Sequence, residues 1–237
     1  MRRLTRGGHN IALVQFPGSN CDVDMVDAFK RHYGLDLNLV WHTETQLPKV
    51  EGVILPGGFS YGDYLRSGAL ASHSPIMAAV KSFAKGGGPV MGICNGFQIL
   101  TESHLLPGAL LRNTHRKFVC KYVTLASGEG HSVFHQGIKG QTLKVPVAHG
   151  EGRYFIDPEG LKRLQGQGQV FVRYVDESGK PAVSANPNGA TDNIAGIISE
   201  NGRVMGMMPH PERATDQVMG GSADGLPILE AFLSLLG

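Results

Sequence analysis

The segment Gly92-Ile93-Cys94-Asn95-Gly96 constrains this chain more than any other. It follows the apolar run Pro89-Val90-Met91 and precedes Phe97-Gln98-Ile99-Leu100, so a short buried strand feeds a helix through Gly-x-Cys-x-Gly. That is the nucleophile-elbow pattern, with cysteine in place of serine. Gly92 and Gly96 lack a Cβ and so permit the sharp turn and the close packing around it. Cys94 then lies at a helix N-terminus, where free N–H groups and the positive end of the helix dipole favour negative charge on sulfur. A small buried core cysteine is the bland alternative, and the elbow alone leaves both readings open.

At 237 residues the chain can bury a full core as one α/β unit or as two small ones. Its 22 basic and 20 acidic residues leave a net charge of +2, too balanced to argue for a nucleic-acid partner from electrostatics. Cys21, Cys94 and Cys120 form an odd, sparse set with no C-x-x-C pair, so neither a disulfide framework nor a cysteine zinc site is suggested; this is cytoplasmic usage. The N-terminal decapeptide, Met1 to Asn10, is basic but lacks the apolar stretch of a signal peptide, and residues 1–9 are expected to be a flexible tail. No run approaches the ~18–20 apolar residues of a membrane-spanning helix. Neither a membrane nor a nucleic acid is expected as a partner.

Strands and helices alternate through the first half. Ile11 to Phe16 reads as a buried parallel strand ended by Pro17-Gly18. Asn20 or Asp22 is expected to cap a helix with the apolar stripe Val23, Val26, Phe29 and Tyr33, stopped by Gly34. Leu37 to Trp41 and Gly52 to Leu55 are predicted strands, the second stopped by Pro56-Gly57-Gly58. One helix is predicted from Ala69 to Lys85, and Pro89 to Ile93 is the strand that delivers Cys94. Such alternation means βαβ units and an open, mainly parallel sheet with helices on both faces. After about Pro107 the pattern changes. Phe118 to Leu125, Thr142 to Ala148, Val170 to Val175, Ile194 to Ser199 and Val204 to Met208 look like strands with few long helices between them. They are expected to add partly antiparallel sheet, closed by a helix from Pro227 to Leu236.

A second chemical signal is Met208-Pro209-His210-Pro211-Glu212-Arg213. Two prolines around the histidine hold it out of helix, and in extended chain residues i and i+2 share a side. His210 and Glu212 are thereby neighbours, and a carboxylate beside an imidazole is the third member of a nucleophile–base–orienter set. A third signal is Pro56-Gly57-Gly58-Phe59-Ser60-Tyr61-Gly62-Asp63-Tyr64, at the carboxyl end of a buried strand where α/β folds bind ligands. Its main-chain N–H groups, with the amide of Asn95, can face an oxyanion; a plain tight turn is the alternative. No Gly-Lys-Ser/Thr follows, so it is not a phosphate loop. His115, His131, His135 and His149 form no H-x-x-x-H pair, and no metal is expected. Cys21 and Cys120 follow no elbow and are read as structural.

With these segments in this order, the chain resembles the class I glutamine amidotransferases, whose fold is flavodoxin-like. Within that class FPGSNCD (Phe16 to Asp22), PGGFSYGDYLRSGALA (Pro56 to Ala71), AHGEGRY (Ala148 to Tyr154), NPNG (Asn186 to Gly189) and GMMPHPERA (Gly206 to Ala214) are similar to the glutaminase subunits of phosphoribosylformylglycinamidine synthase. The resemblance runs from about Asn10 to the C-terminus and implies one amidotransferase domain over 1–237. It implies that Cys94 attacks the side-chain amide of glutamine, that His210 moves protons and that Glu212 orients His210. Main-chain N–H groups of Gly58 and Asn95 would form the oxyanion hole, and Gln98 would help hold glutamine. The implied partners are a larger synthetase subunit, which would carry ATP and magnesium, and a small third subunit; this chain would need no cofactor of its own. A partner-sensing role for His149 to Arg153 is the resemblance's further implication, against a turn with solvated charges.

Overall fold

The computed structural model describes residues 8–218 and 220–236. Most of the expected tail, residues 1–7, lies outside them; His9 is tied down, its Nδ1 lying 3.3 Å from Glu51 Oε2.

β1 (Ile11–Gln15) is buried along nearly its whole length, as a central strand of a covered parallel sheet must be. α1 (Asp22–Tyr33) follows and stops at Gly34, whose φ of 68° lets its N–H reach Lys30 O. The cap is Cys21, with no side-chain capping bond, rather than Asn20 or Asp22. The buried stripe is also rotated from the expected one: Gln15 Nε2 donates to the Asp22 carboxylate and draws Asp22 inward. Positions three and seven residues on, Met25 and Phe29, therefore face the core, and Val23 is exposed.

β2 (Asn38–Trp41) and β3 (Gly52–Leu55) follow. The helix expected over Ala69 to Lys85 is two, α2 (Ala69–Ser72) and α3 (Ile76–Lys85). Pro75 lies between them and cannot donate a helical hydrogen bond. β4 (Val90–Ile93) leads through Cys94 into α4 (Asn95–Glu102). Beyond come β5 (Ala109–Leu111), β6 (Val119–Ser127), α5 (Val133–Gly137), β7 (Thr142–His149), β8 (Arg153–Phe155), α6 (Pro158–Gly166), β9 (Val170–Val175), β10 (Ile194–Ile198), β11 (Val204–Met207) and α7 (Leu226–Leu233).

Among the described residues, nine strands form one sheet in the order β2-β1-β3-β4-β11-β10-β9-β6-β7. The first five are mutually parallel, and the last four continue the sheet antiparallel from β11. β5 and β8 make a separate antiparallel pair, held over α4 by stacking of Tyr154 on Phe97 with ring centroids 5.9 Å apart. One buried apolar cluster runs through both halves, from Ile11 in β1 to Leu143 in β7.

Candidate active site

Four loops leave the carboxyl ends of parallel strands β1, β3, β4 and β11 and meet at one place, the edge where open α/β sheets bind ligands. The first two are stitched together by a bridge between Ser19 and Gly58, with Phe59 N–H donating to Gly18 O at 3.0 Å. Cys94 N–H donates to Met207 O at 2.8 Å and fixes the elbow against β11.

Cys94 has φ 50° and ψ −105°, a sparsely populated conformation for a residue with a Cβ. Packing enforces it. A Cβ on Gly96 would lie 2.0 Å from Leu55 O, so α4 approaches β3 as closely as only glycine allows. Cys94 is thus presented from the strand end rather than absorbed into strand or helix. It is buried, and its Sγ lies 3.8 Å from Ala148 O at the end of β7.

His210 and Glu212 are brought together as the sequence predicts, by a slightly different path. His210 is extended (φ −100°, ψ 90°), but Pro211–Arg213 turns into one 3₁₀ turn, with Pro211 at its start. The His210 Nδ1 to Glu212 Oε1 distance is 2.6 Å, and both side chains are almost wholly buried. The contact with the carboxylate assigns a proton to Nδ1 and leaves Nε2 facing inward, with no partner among the described residues. Burial pushes the imidazole's pKa down, but the charges of Glu212 and Cys94 and the nearness of the Cys21 and Cys94 sulfurs hold it well above the ordinary histidine value. His210 N–H donates to Pro146 O at 2.8 Å, so the antiparallel half sets the height of the histidine above the sheet.

The other predicted residues divide. Gly58, with φ 135°, lines the same cavity as Cys94 and His210, and Asn95 opens α4 directly after Cys94. Gln98 is buried with its amide committed: Nε2 donates to Glu151 O at 2.7 Å, and Oε1 accepts from Asn95 Nδ2 at 2.9 Å. It ties the elbow helix to the segment after β7. In that segment Glu151 accepts from Ser67 N–H at 3.2 Å, from Ser67 Oγ at 3.0 Å and from Arg112 Nε at 3.1 Å. His149 is not in a loop; it ends β7 and is buried. Burial first, and then the charge of His210, push its pKa down to about 4.

Cys21, read from the sequence as structural, stands beside the candidate catalytic groups. It lies at the carboxyl end of β1 and lines the Cys94–His210 cavity, and Arg213 Nη2 donates to its sulfur at 3.3 Å. Arg213 is paired in turn with Asp24, at 2.9 and 2.8 Å. The available signal was position: Cys21 follows the first strand, at the sheet edge where its neighbours act. Cys120 is exposed and does not line the cavity, although it pairs in register with Ala148, which does. The cavity among these groups holds about 50 Å³, room for a water or an ion.

The profile of the CobB/CobQ-like glutamine amidotransferase domain matches residues 8–224. The chain belongs to the glutamine amidotransferase family. It is 52% identical over 225 residues to the phosphoribosylformylglycinamidine synthase subunit PurQ of Thermomicrobium roseum, covering 94% of this chain and 95% of that one. It is 54% identical over 226 residues to the PurQ subunit of Thermus thermophilus, covering 95% and 96%. Among solved structures, PurLQS from Thermotoga maritima superposes with a TM-score of 0.83 at 39% identity, over 96% of this chain and 99% of that one. A glutamine amidotransferase from the same organism, at 15% identity and TM-score 0.57 over 97% of this chain and 94% of that one, shares the fold. Within the family, then, the chain is a PurQ-type subunit, and the open α/β sheet expected from the alternating pattern is the amidotransferase fold.

Proposed function

We propose that this chain is the glutaminase subunit that supplies ammonia for the conversion of formylglycinamide ribonucleotide to formylglycinamidine ribonucleotide in purine biosynthesis, acting as one domain. The observation that carries the chemistry is the buried His210–Glu212 pair, with its free Nε2 facing the cavity it shares with Cys94. In this reading Cys94 Sγ adds to the side-chain carbonyl carbon of glutamine, and the oxyanion takes N–H groups from Gly58 and Asn95. His210, held protonated by its neighbours, gives a proton to the departing nitrogen, and ammonia leaves behind a γ-glutamyl thioester. The imidazole then takes a proton from water, which hydrolyses the thioester to glutamate and frees Cys94. Glu212 keeps the ring oriented and balances its charge.

Gln98 acts by fixing the start of α4 through Asn95 and Glu151, and so helps to shape the glutamine site. A larger synthetase subunit carries ATP and magnesium and uses the ammonia, and a small third subunit completes the assembly. The reaction calls for no cofactor on this chain, and the setting is cytoplasmic; among the described residues no helix is long and apolar enough to cross a membrane. Labelling with diazo-oxo-norleucine tests the reading. One equivalent on Cys94, with loss of glutamine-dependent but not ammonia-dependent synthesis by the complex, supports it; labelling elsewhere, or loss of both activities, refutes it.

A further inference from the structure

Cys21 has no part in the chemistry above, yet ligand atoms of Cys21, His210 and Glu212 all lie within 4.8 Å of one another, and all three residues are buried. Cys94 is not among those mutually close ligand atoms, but it lines the same small cavity and would have to close on an ion held there. His210 is 1% exposed, and its Nε2 has no partner among the described residues. Its other nitrogen is held by Glu212 Oε1, the carboxylate–histidine arrangement that backs a metal-ligating imidazole. The positive charge of Arg213 beside Cys21 is already matched by Asp24, which takes two of its N–H groups.

Two thiols and an imidazole around a space of about 50 Å³ suit a borderline-soft cation that prefers sulfur and nitrogen, and do not suit magnesium or calcium. We propose that Cys21, Cys94 and His210 together bind Zn²⁺, with Glu212 behind His210, and that occupancy shuts off glutamine hydrolysis. The two sulfurs coordinate as thiolates, the imidazolium gives up its Nε2 proton, and this proton and any thiol protons go to solvent; Nε2 then coordinates through the lone pair so freed, and a water completes four ligands. No zinc spacing is visible in the sequence because the three donors arrive on separate loops, after β1, at the elbow and after β11.

The inhibition rests on the proposed roles of Cys94 and His210, but the binding does not, and the two are measured separately. The intact chain is titrated with Zn²⁺ in competition with the chromophoric chelator pyridylazoresorcinol. One equivalent should bind, with affinity falling at least about tenfold in Cys21→Ser and in Cys94→Ala, each checked for native circular dichroism, and unchanged in Cys120→Ser. In the assembled enzyme, Zn²⁺ should stop glutamine-dependent synthesis and protect Cys94 from diazo-oxo-norleucine, and a chelator should restore both. Wild type that binds no zinc, Cys21→Ser that binds as tightly as wild type, or binding that follows Cys120 overturns the proposal. A Cys94→Ala enzyme that still hydrolyses glutamine would instead refute the catalytic reading, whatever the zinc result.

Discussion

Two buried histidines sit in opposite halves of the sheet and are treated oppositely. His135, in α5 of the antiparallel half, has both ring nitrogens engaged, Nδ1 with Ser132 Oγ at 2.7 Å and Nε2 with Val170 O at 2.9 Å. Burial lowers its pKa, so the ring is a neutral strut between α5 and β9. His210, on the loop after β11, has one nitrogen bound to a carboxylate, the other free, and a raised pKa. A buried polar atom left without a partner costs about 1–3 kcal/mol, and such a cost is tolerated where the atom has work to do. The two halves divide the site between them. The parallel strands end in the loops that carry Cys94, at φ 50°, and His210, whereas the antiparallel strands meet them as a floor with Pro146 O and Ala148 O and hold unpartnered buried atoms of their own among the described residues, His149 Nδ1 and Tyr174 Oη.

The largest effect should come from Cys94→Ala. Glutamine-dependent synthesis by the complex should fall at least about 10³-fold, while synthesis from added ammonia stays within about twofold, because in the proposed mechanism the residue serves only ammonia production. Loss of both in a complex that still assembles would break the division of labour. His210→Ala should come next, at about 10³-fold, with Glu212→Gln closer to 10²-fold, since in the proposed mechanism the imidazole moves the protons and the glutamate orients it. In contrast, His135→Ala should lower the urea midpoint and leave kcat per folded molecule unchanged. If His135→Ala cost as much in kcat as His210→Ala, the contrast between strut and base would be false.

The same division explains what could be read in the sequence. β1, β3 and β4 are continuous apolar runs buried on both faces, and their stops at proline and glycine mark the site loops. The elbow was legible because its two glycines and its cysteine are local. The antiparallel half was less so. β5 and β8 are three residues each, too short for any alternation to register, and α5 is only five. α6 did carry a signal, Asp157 accepting from Gly160 N–H with Pro158 just inside the helix. The surroundings of Cys21 and His149 were not legible because they come from long-range contacts, Cys21 across 192 residues to Arg213 and His149 with His210, to which no local pattern points.

His149 offers a test through stability, since it belongs to the floor yet feels the site. Its folded pKa of about 4 lies below the ordinary value of 6.5, so the unfolded chain binds more protons between them. Stability from this group is therefore present above roughly pH 6.5 and lost as pH falls toward about 4, on the order of 3 kcal/mol in all. Denaturant unfolding of wild type and His149→Gln from pH 7.5 to 4 should show a steeper loss in wild type. The difference in slope, rather than in level, is the readout; parallel curves would mean that His149 is charged or solvated in the fold.

The smallest expected effect concerns whether the site of the free chain is fully formed. Among Cys21, Gly58, Cys94 and His210 there is about 50 Å³, room for a water or an ion, and the loops are expected to shift when a glutamine side chain enters. The loop after β3 is the candidate to move. Phe59, Tyr64 and Leu65 on it are exposed apolar residues at 43%, 75% and 82%, while Gly58, at φ 135°, can turn its peptide at little steric cost. Tyr61 holds the loop in place, its hydroxyl 2.8 Å from His42 Nδ1 and 3.0 Å from Ser74 Oγ. A synthetase subunit docking on the exposed residues would favour the open, competent arrangement by a shift in population. Glutaminase activity should accordingly be weak for the free chain and rise about tenfold or more in the complex with its nucleotide substrate, equivalent to ~1.4 kcal/mol of coupling. Tyr61→Phe, which removes the hydroxyl's hold, should narrow that ratio by changing the free chain's rate more than the complex's. Equal turnover by free chain and complex would show the site to be as preformed as the floor beneath it, and the contrast between the two halves would then be one of chemistry alone.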